Sequence, residues 1–340
     1  MQVKWDKVSV QTANGLVPGI APIVISASRA TDIPAFYGEW FVGRLAAGYL
    51  AWTNRFNREQ SQIVSFAKTR VIVFWSKNPA PIERYLEQLD ERGINYYFTF
   101  TVNDYEQEGL EKSVPPLADR VATFRRLSQR LGSDRVVWRF DPIIVGGSLT
   151  PERILKKIES IGDRLHRYAS KLVISFADIS RYHNVRENLK RSGWGDSEEP
   201  GPEAVQRIAR GIQSLNKNWG LRIASCAESV DLSAYDIAHN RCIDDDLMAR
   251  VFPHDAKLMA FIGRGSGSAA PLCGDGVRPA NPLKDSSQRE SCGCIVSKDI
   301  GRYNTCPHHC AYCYANSSFQ RADEAYERHA PGREQISYGV

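Results

Sequence analysis

Six short runs of β-branched and aromatic residues punctuate the chain: Pro22 to Ala27, Val71 to Trp75, Tyr96 to Val102, Arg135 to Phe140, Leu172 to Phe176 and Leu221 to Ser225. Segments of helical period separate them, and that alternation predicts parallel strands joined by crossover helices. After Val71 to Trp75, Asn78 and Pro79 stand at a helix cap and first turn; Ile82, Tyr85, Leu86 and Leu89 repeat at helical spacing, and Gly93 stops the helix. Leu117, Val121, Phe124, Leu127 and Leu131 mark a second helix ending before Gly132, and Ile154, Leu155, Ile158, Ile161 and Leu165 a third. These stripes are core and imply no cofactor. The runs V-I-V-F-W and L-V-I-S-F are apolar without alternation, so both faces of the sheet are covered, as in a barrel or a doubly wound sheet. The barrel is favoured.

The body is therefore expected to be a (βα) barrel over residues 1–262. A stretch rich in Gly, Ser, Pro and Asp, residues 263–290, reads as a loop or linker that delivers a cysteine-rich segment, residues 291–340. At 340 residues with 42% hydrophobic and 24% charged side chains, the chain can bury a substantial core as an ordinary soluble globular protein. The opening MQVKWDKVSVQTANG lacks the layout of a signal peptide, and no apolar run is long enough to span a bilayer, so a cytoplasmic protein that does not enter membranes is expected. A net charge of +5 is compatible with an anionic substrate or nucleic acid and decides neither.

Eight cysteines are too sparse for a disulfide scaffold in a chain of this length, and their clustering toward the C-terminus points to metal ligation in a reducing compartment. Cys306, Cys310 and Cys313 lie in T-C-P-H-H-C-A-Y-C-Y-A-N. That C-x-x-x-C-x-x-C spacing lets one loop ligate three irons of a four-iron four-sulfur cluster and leaves the fourth iron open. Zinc is the rival, with His308, His309 or the Cys292–Cys294 pair as a fourth ligand. Cys226, Cys242, Cys292 and Cys294 could hold a second cluster or a zinc ion, while buried structural thiols are the plain reading for Cys226 and Cys242. Cys273 is left over, either without a role or as a redox thiol.

Active sites in such barrels gather at the C-terminal ends of the strands. The residues there are Ser28-Arg29-Ala30-Thr31-Asp32-Ile33-Pro34, Ser76-Lys77-Asn78-Pro79 and Arg139-Phe140-Asp141-Pro142. Singly, Asp32 and Asn78 could be helix caps and Lys77 a surface charge. As a set on one rim they suit a polar ligand, with Arg29, Lys77 and Arg139 able to bind a carboxylate or phosphate.

The cysteine loop, with Tyr312 just before its third cysteine, resembles that of radical enzymes that use S-adenosylmethionine (SAM), in which the open corner chelates SAM. T-D-I-P, S-K-N-P, F-T-F-T-V, P-L-A-D-R and R-F-D-P-I-I-V-G, in that order, resemble the body of the spore photoproduct lyase branch of those enzymes, where the cysteine loop comes first. With C-G-C and C-P-H-H-C-A-Y-C last, the whole arrangement resembles the DUF1848 family over nearly the entire chain. The resemblance implies a circularly permuted, partial (βα) TIM-type barrel in which a strand at about Ser297 to Tyr303 completes the sheet beside Pro22 to Ala27. It implies reductive cleavage of SAM by the cluster and hydrogen abstraction, by a 5′-deoxyadenosyl radical, from a small-molecule or nucleic-acid substrate. Arg29, Asp32, Lys77, Arg139 and Asp141 would line the SAM and substrate pocket. Thr31 and Asp32 stand in for the Gly-Gly-Glu-type motif that holds the SAM amine, and a reductase or flavodoxin-type protein would donate the electron. The alternative expectation is a zinc- or iron-sulfur-binding protein without SAM chemistry, with Tyr303, Tyr312 and Tyr314 stacking on nucleic-acid bases.

Overall fold

The computed structural model describes residues 5–54, 60–264 and 283–337; Cys273 and most of the stretch expected to be a linker lie outside the described residues. Twelve strands follow one another: β1 (Asp6–Thr12), β2 (Gly15–Ala21), β3 (Val24–Ala27), β4 (Tyr49–Thr53), β5 (Ser61–Ser65), β6 (Val71–Ser76), β7 (Asn95–Thr101), β8 (Val136–Ile143), β9 (Lys171–Phe176), β10 (Arg222–Ser225), β11 (Ile237–His239) and β12 (Lys298–Asp299). Between them run the helices α1 (Ile33–Phe36), α2 (Gly38–Ala47), α3 (Leu86–Glu91), α4 (Leu117–Leu131), α5 (Pro151–Leu165), α6 (His183–Arg191), α7 (Pro202–Trp219), α8 (Asp245–Val251) and α9 (Ala256–Phe261), with α10 (Phe319–Glu327) near the C-terminus.

Eight strands form one sheet in the order β11-β10-β9-β8-β7-β6-β3-β12, parallel at every pairing. Among the described residues β11 and β12 do not pair with each other, so this is a mixed α/β fold with an open parallel sheet, compatible with a partial barrel. All six predicted strands are present. The short segment before the cysteine loop, β12, lies beside β3 with Lys298 opposite Ile25 and Asp299 opposite Ser26, as expected for a strand in that region.

The lack of alternation in the strand sequences has the anticipated cause. Ile72, Phe74, Tyr96, Phe98, Phe100, Val136, Trp138, Leu172 and Ile174 pack into one core with α2 to α7, while Val24, Val71, Val73, Tyr97, Val137 and Val173 pack into a second core with α8, α9 and residues 292–295. Since neighbouring residues of a strand point to opposite faces, each face needs its own apolar residues. Among the described residues, no helix is long and apolar enough to cross a membrane.

Besides the short edge strand β11, two features depart from the sequence-based expectation. The helix after β6 opens as a 3-10 turn, Ala80–Tyr85, with Pro79 rather than Asn78 at its cap and no side-chain cap bond. A second, four-stranded sheet, β1-β2-β5-β4, was not anticipated, because it carries few large apolar residues at its edge; β1 is mostly exposed and buries only Val10.

Helices α5 and α7 meet at Gly162, where an added Cβ would lie 2.3 Å from ring atoms of Trp219. That indole is pinned by a 2.9 Å bond from its Nε1 to Asp163 and by edge contact with Trp138. Alanine in place of glycine gains about 1 kcal/mol of helix propensity, but overpacking costs about 1–3 kcal/mol. Gly162→Ala is expected to lower the unfolding free energy by a net value of up to about 2 kcal/mol and so to shift the urea midpoint down, measured by fluorescence against wild type.

Candidate metal and cofactor site

The inner face of the large sheet changes character along its length. Val24, Val71, Val73, Tyr97, Val137 and Val173 fill it near the strand starts; one step further along the same face stand Ser26, Trp75, Thr99, Thr101, Arg139 and Ser175. The period of two therefore converts an apolar floor into a polar mouth. Above that floor is a cavity of about 780 Å³. It is lined by Arg29, Thr31, Asp32, Lys77, Arg139 and Asp141 and also by Cys226, Cys242, Cys292, Cys294, Cys306, Cys310 and Cys313. Every site residue proposed from the sequence thus faces one space.

The cysteine loop is held to the strand ends by polar contacts. Asp32 caps α1 through a 3.0 Å bond from the Ala35 amide and accepts bonds from Ser76 Oγ (2.7 Å), the Lys77 amide (2.7 Å) and His308 Nε2 (2.8 Å). Thr31 Oγ1 meets both the Arg302 carbonyl and Thr305 Oγ1 at 2.6 Å. These two residues tie the loop to β3 and β6, so the structure places them as loop anchors rather than as open groups for an amine. Within the loop the Cys313 amide bonds the Cys310 carbonyl at 3.0 Å, and Asn316 donates to the Cys306 carbonyl at 2.7 Å and to Cys313 Sγ at 3.3 Å. From α6, Asn188 donates to the carbonyls of Cys313 (2.9 Å) and Asn316 (2.8 Å).

These three thiols suit a cluster with one open corner. All are free, and burial pushes Cys306 up to about 12, with Asp32 and Cys313 adding to it, and raises Cys310 and Cys313 as well. Neither nearby histidine is available as a fourth ligand. His308 engages Asp32 and the Ser113 carbonyl (3.3 Å), and His309 engages Ser113 Oγ (3.1 Å) and Asp323 (2.7 Å). Three soft donors on one loop, with neither histidine free to join them, suit a cubane with an open corner.

Of the three basic residues expected to hold an anion, two are engaged elsewhere. Lys77 Nζ lies 2.8 Å from Glu111 Oε1 and donates to Tyr312 Oη at 2.8 Å. Glu111, whose side chain is 1% exposed, also takes Arg120 at 3.4 Å, Asn103 at 3.2 Å and the Tyr312 hydroxyl. Burial alone would raise this carboxyl, but Lys77 and Arg120 hold it down at about 2. Arg139 is paired with Asp141, which also accepts from Ser175, and it bonds Cys242 Sγ at 2.7 Å. Arg29 differs: its guanidinium lies 5.1 Å from the centre of the Trp75 ring, and its buried Nη2 has no hydrogen-bond partner.

Glu111, Asn103 and Ser175 escaped the sequence reading. Glu111 sits in D-Y-E-Q-E-G-L-E-K, a charged run indistinguishable from a solvated loop until Lys77 and Arg120 are seen to converge on it.

The other four cysteines also converge. Cys226 follows β10, Cys242 precedes α8, and Cys292 and Cys294 flank Gly293, whose missing side chain leaves room for Arg241 Cγ, 2.7 Å from where a Cβ would be. Cys226 Sγ and Cys242 Sγ are 3.4 Å apart, and Cys294 Sγ accepts the amides of Cys242 (3.2 Å) and Ile243 (3.3 Å). Asp244, Asp245 and Asp246 bring carboxylate oxygens within 4.8 Å of one another, but Asp244 caps α8 and the others pair with Arg241 and Arg264.

A family model described as a domain of unknown function (DUF1848) matches residues 24–315. Among solved structures, a candidate alpha-L-fucosidase from Bacteroides thetaiotaomicron VPI-5482 is 11% identical, with 58% of this chain and 75% of that chain covered and a TM-score of 0.24, a likeness too slight to carry fold or function. No curated protein matches.

Proposed function

The chain belongs to the DUF1848 family, and from its site we propose that it is a radical SAM enzyme acting on a substrate held in the 780 Å³ cavity. One observation carries this reading. Three free thiols of a single C-x-x-x-C-x-x-C loop face the cavity in which the polar strand ends of a parallel sheet converge, and both neighbouring histidines are engaged elsewhere.

Cys306, Cys310 and Cys313 would hold a four-iron four-sulfur cluster, which when reduced supplies the electron for reductive cleavage of SAM and so for hydrogen abstraction from substrate. The protein's part is positioning and exclusion of water. Asp32 and Thr31 fix the loop against β3 and β6, and Lys77 fixes it through Tyr312. Arg29, with an unpartnered buried nitrogen, offers a donor for the carboxylate of a bound ligand. Arg139 and Asp141 form a rigid pair that presents charge to the middle of the cavity. The place of β12 beside β3, leading straight into the cysteine loop, supports a circular permutation of the order found in the spore photoproduct lyase branch. Two of the three tyrosines of the nucleic-acid alternative are hydrogen-bonded within the protein: Tyr312 donates to Glu111 and Tyr314 to the Arg29 carbonyl at 2.5 Å.

The test is anaerobic reconstitution with iron and sulfide, reduction with dithionite, and addition of SAM. The expected products are 5′-deoxyadenosine and methionine, dependent on both cluster and reductant. A fully loaded protein that leaves SAM intact would reject the reading.

A further inference from the structure

We infer that Cys226, Cys242, Cys292 and Cys294 form a second, mononuclear metal centre that takes one thiophilic divalent cation, zinc by preference, independently of what the C-terminal loop holds.

Their chemistry and spacing point to this class. Thiolates select zinc, copper(I) or iron-sulfur clusters, and a four-cysteine set closes a zinc tetrahedron. In such a tetrahedron, with bonds of about 2.3 Å, neighbouring sulfurs lie about 3.8 Å apart. Cys226 and Cys242 are 3.4 Å apart, Cys294 Sγ lies 3.2 Å from the Cys242 amide, and Cys292 is two residues from Cys294. On a cubane each ligand sulfur sits on its own iron and the sulfurs stand well apart, whereas the 3.4 Å between Cys226 and Cys242 is close to the spacing of two ligands on one ion. No three of the four have all their sulfurs within 4.8 Å of one another, so loading draws them inward by rotation of cysteine side chains.

Surrounding groups are those of a metal thiolate. Cys294 Sγ accepts the amides of Cys242 (3.2 Å) and Ile243 (3.3 Å), and Cys242 Sγ accepts Asn240 Nδ2 (2.9 Å) and Arg139 (2.7 Å). Donors of this kind orient ligands and stabilise their charge. Four thiolates and one divalent cation carry a net charge of −2, and two cationic side chains, Arg139 and Arg29, are within electrostatic reach of Cys242. The four residues come from three separate segments, after β10, before α8 and before β12, and the ion would clamp these together beneath the cavity.

The experiment uses the full chain with Cys306, Cys310 and Cys313 all changed to alanine, so that its outcome does not depend on the radical SAM reading. Purified with zinc present, this variant is expected to hold one zinc per chain, and cobalt(II) exchanged into it should give the ligand-field bands of a tetrahedral tetrathiolate site. Adding Cys226→Ser, at a half-buried position that tolerates the change, should shift those bands. It should also weaken zinc binding by more than the about 10–100-fold of an outer-sphere change. Iron and sulfide retained in cubane ratio by the triple variant would overturn the proposal. So would a metal-free triple variant whose four cysteines are found by alkylation as disulfides.

Discussion

Cys310→Ala protein, reconstituted beside wild type, is expected to hold no four-iron cluster and to release no 5′-deoxyadenosine. Only Cys306 and Cys313 remain to grip the cubane, and with two irons lacking a protein ligand the cluster is lost on desalting. The fold should be almost indifferent. The Cys310 backbone forms a bridge with Glu111, the Ala311 amide bonds the Leu110 carbonyl at 2.8 Å, and neither contact uses the thiol. Losing one buried sulfur costs about 1 kcal/mol, the scale of a small core truncation. Iron and sulfide analysis, product assay and urea titration of the apoprotein should therefore separate: the first two fall to background while the third barely moves. A variant that keeps the wild-type cluster spectrum would remove Cys310 from the ligand set.

Glu111→Ala is expected to have the opposite profile, with a destabilisation of about 3–5 kcal/mol. The carboxylate compensates Lys77 and Arg120 in a setting where the Glu111 and Arg120 side chains are each 1% exposed. Removing it takes the shared carboxylate from Lys77, Arg120 and the Tyr312 hydroxyl, leaving Arg120 with the Pro115 carbonyl at 2.8 Å and Glu106 at 3.5 Å. Acid titrates the same interaction. Burial opposes ionisation, but Lys77 and Arg120 win, and the carboxyl stands at about 2 when folded against 4.5 when free. The native state binds this proton more weakly than the unfolded chain, so the contribution is present above pH 4.5 and lost as pH falls toward 2. The difference corresponds to about 3 kcal/mol. Urea titrations of apoprotein, whose thiols carry no cluster, should show wild type losing more stability than Glu111→Gln across that window. Parallel pH profiles would mean that Lys77 and Arg120 do not depend on this carboxylate.

The inner strands of the large sheet were legible because both of their faces are covered and their first halves are apolar on both, as V-I-V-F-W is. Spacing likewise exposed Cys306, Cys310 and Cys313, since one loop carries all three. The duties of the strand-end residues were not legible. Lys77 follows a strand and reads as a hook for an anion, yet its partner Glu111 arrives from a loop 34 residues later. Thr31 and Asp32 read as site residues from their place at a strand end, but their partners, Arg302, Thr305 and His308, lie over 270 residues away, and no local pattern encodes a contact across that separation. The small sheet was missed for a related reason: β2 pairs with β5 across a long stretch of chain, and neither has a strong period of its own.

The residues after α10 reach back to the other end of the molecule. The Arg333 carbonyl accepts the Trp40 indole at 2.9 Å, the Glu334 carbonyl accepts the Ala51 amide at 3.0 Å, and Glu334 also takes the Tyr49 hydroxyl. A shortened polypeptide ending at 315, where the family match stops, would strip this strap from α2 and β4 and leave polar and aromatic surface bare. Trimming for expression is best done elsewhere, since the tail behaves as a buckle fastened onto the first fifty-odd residues.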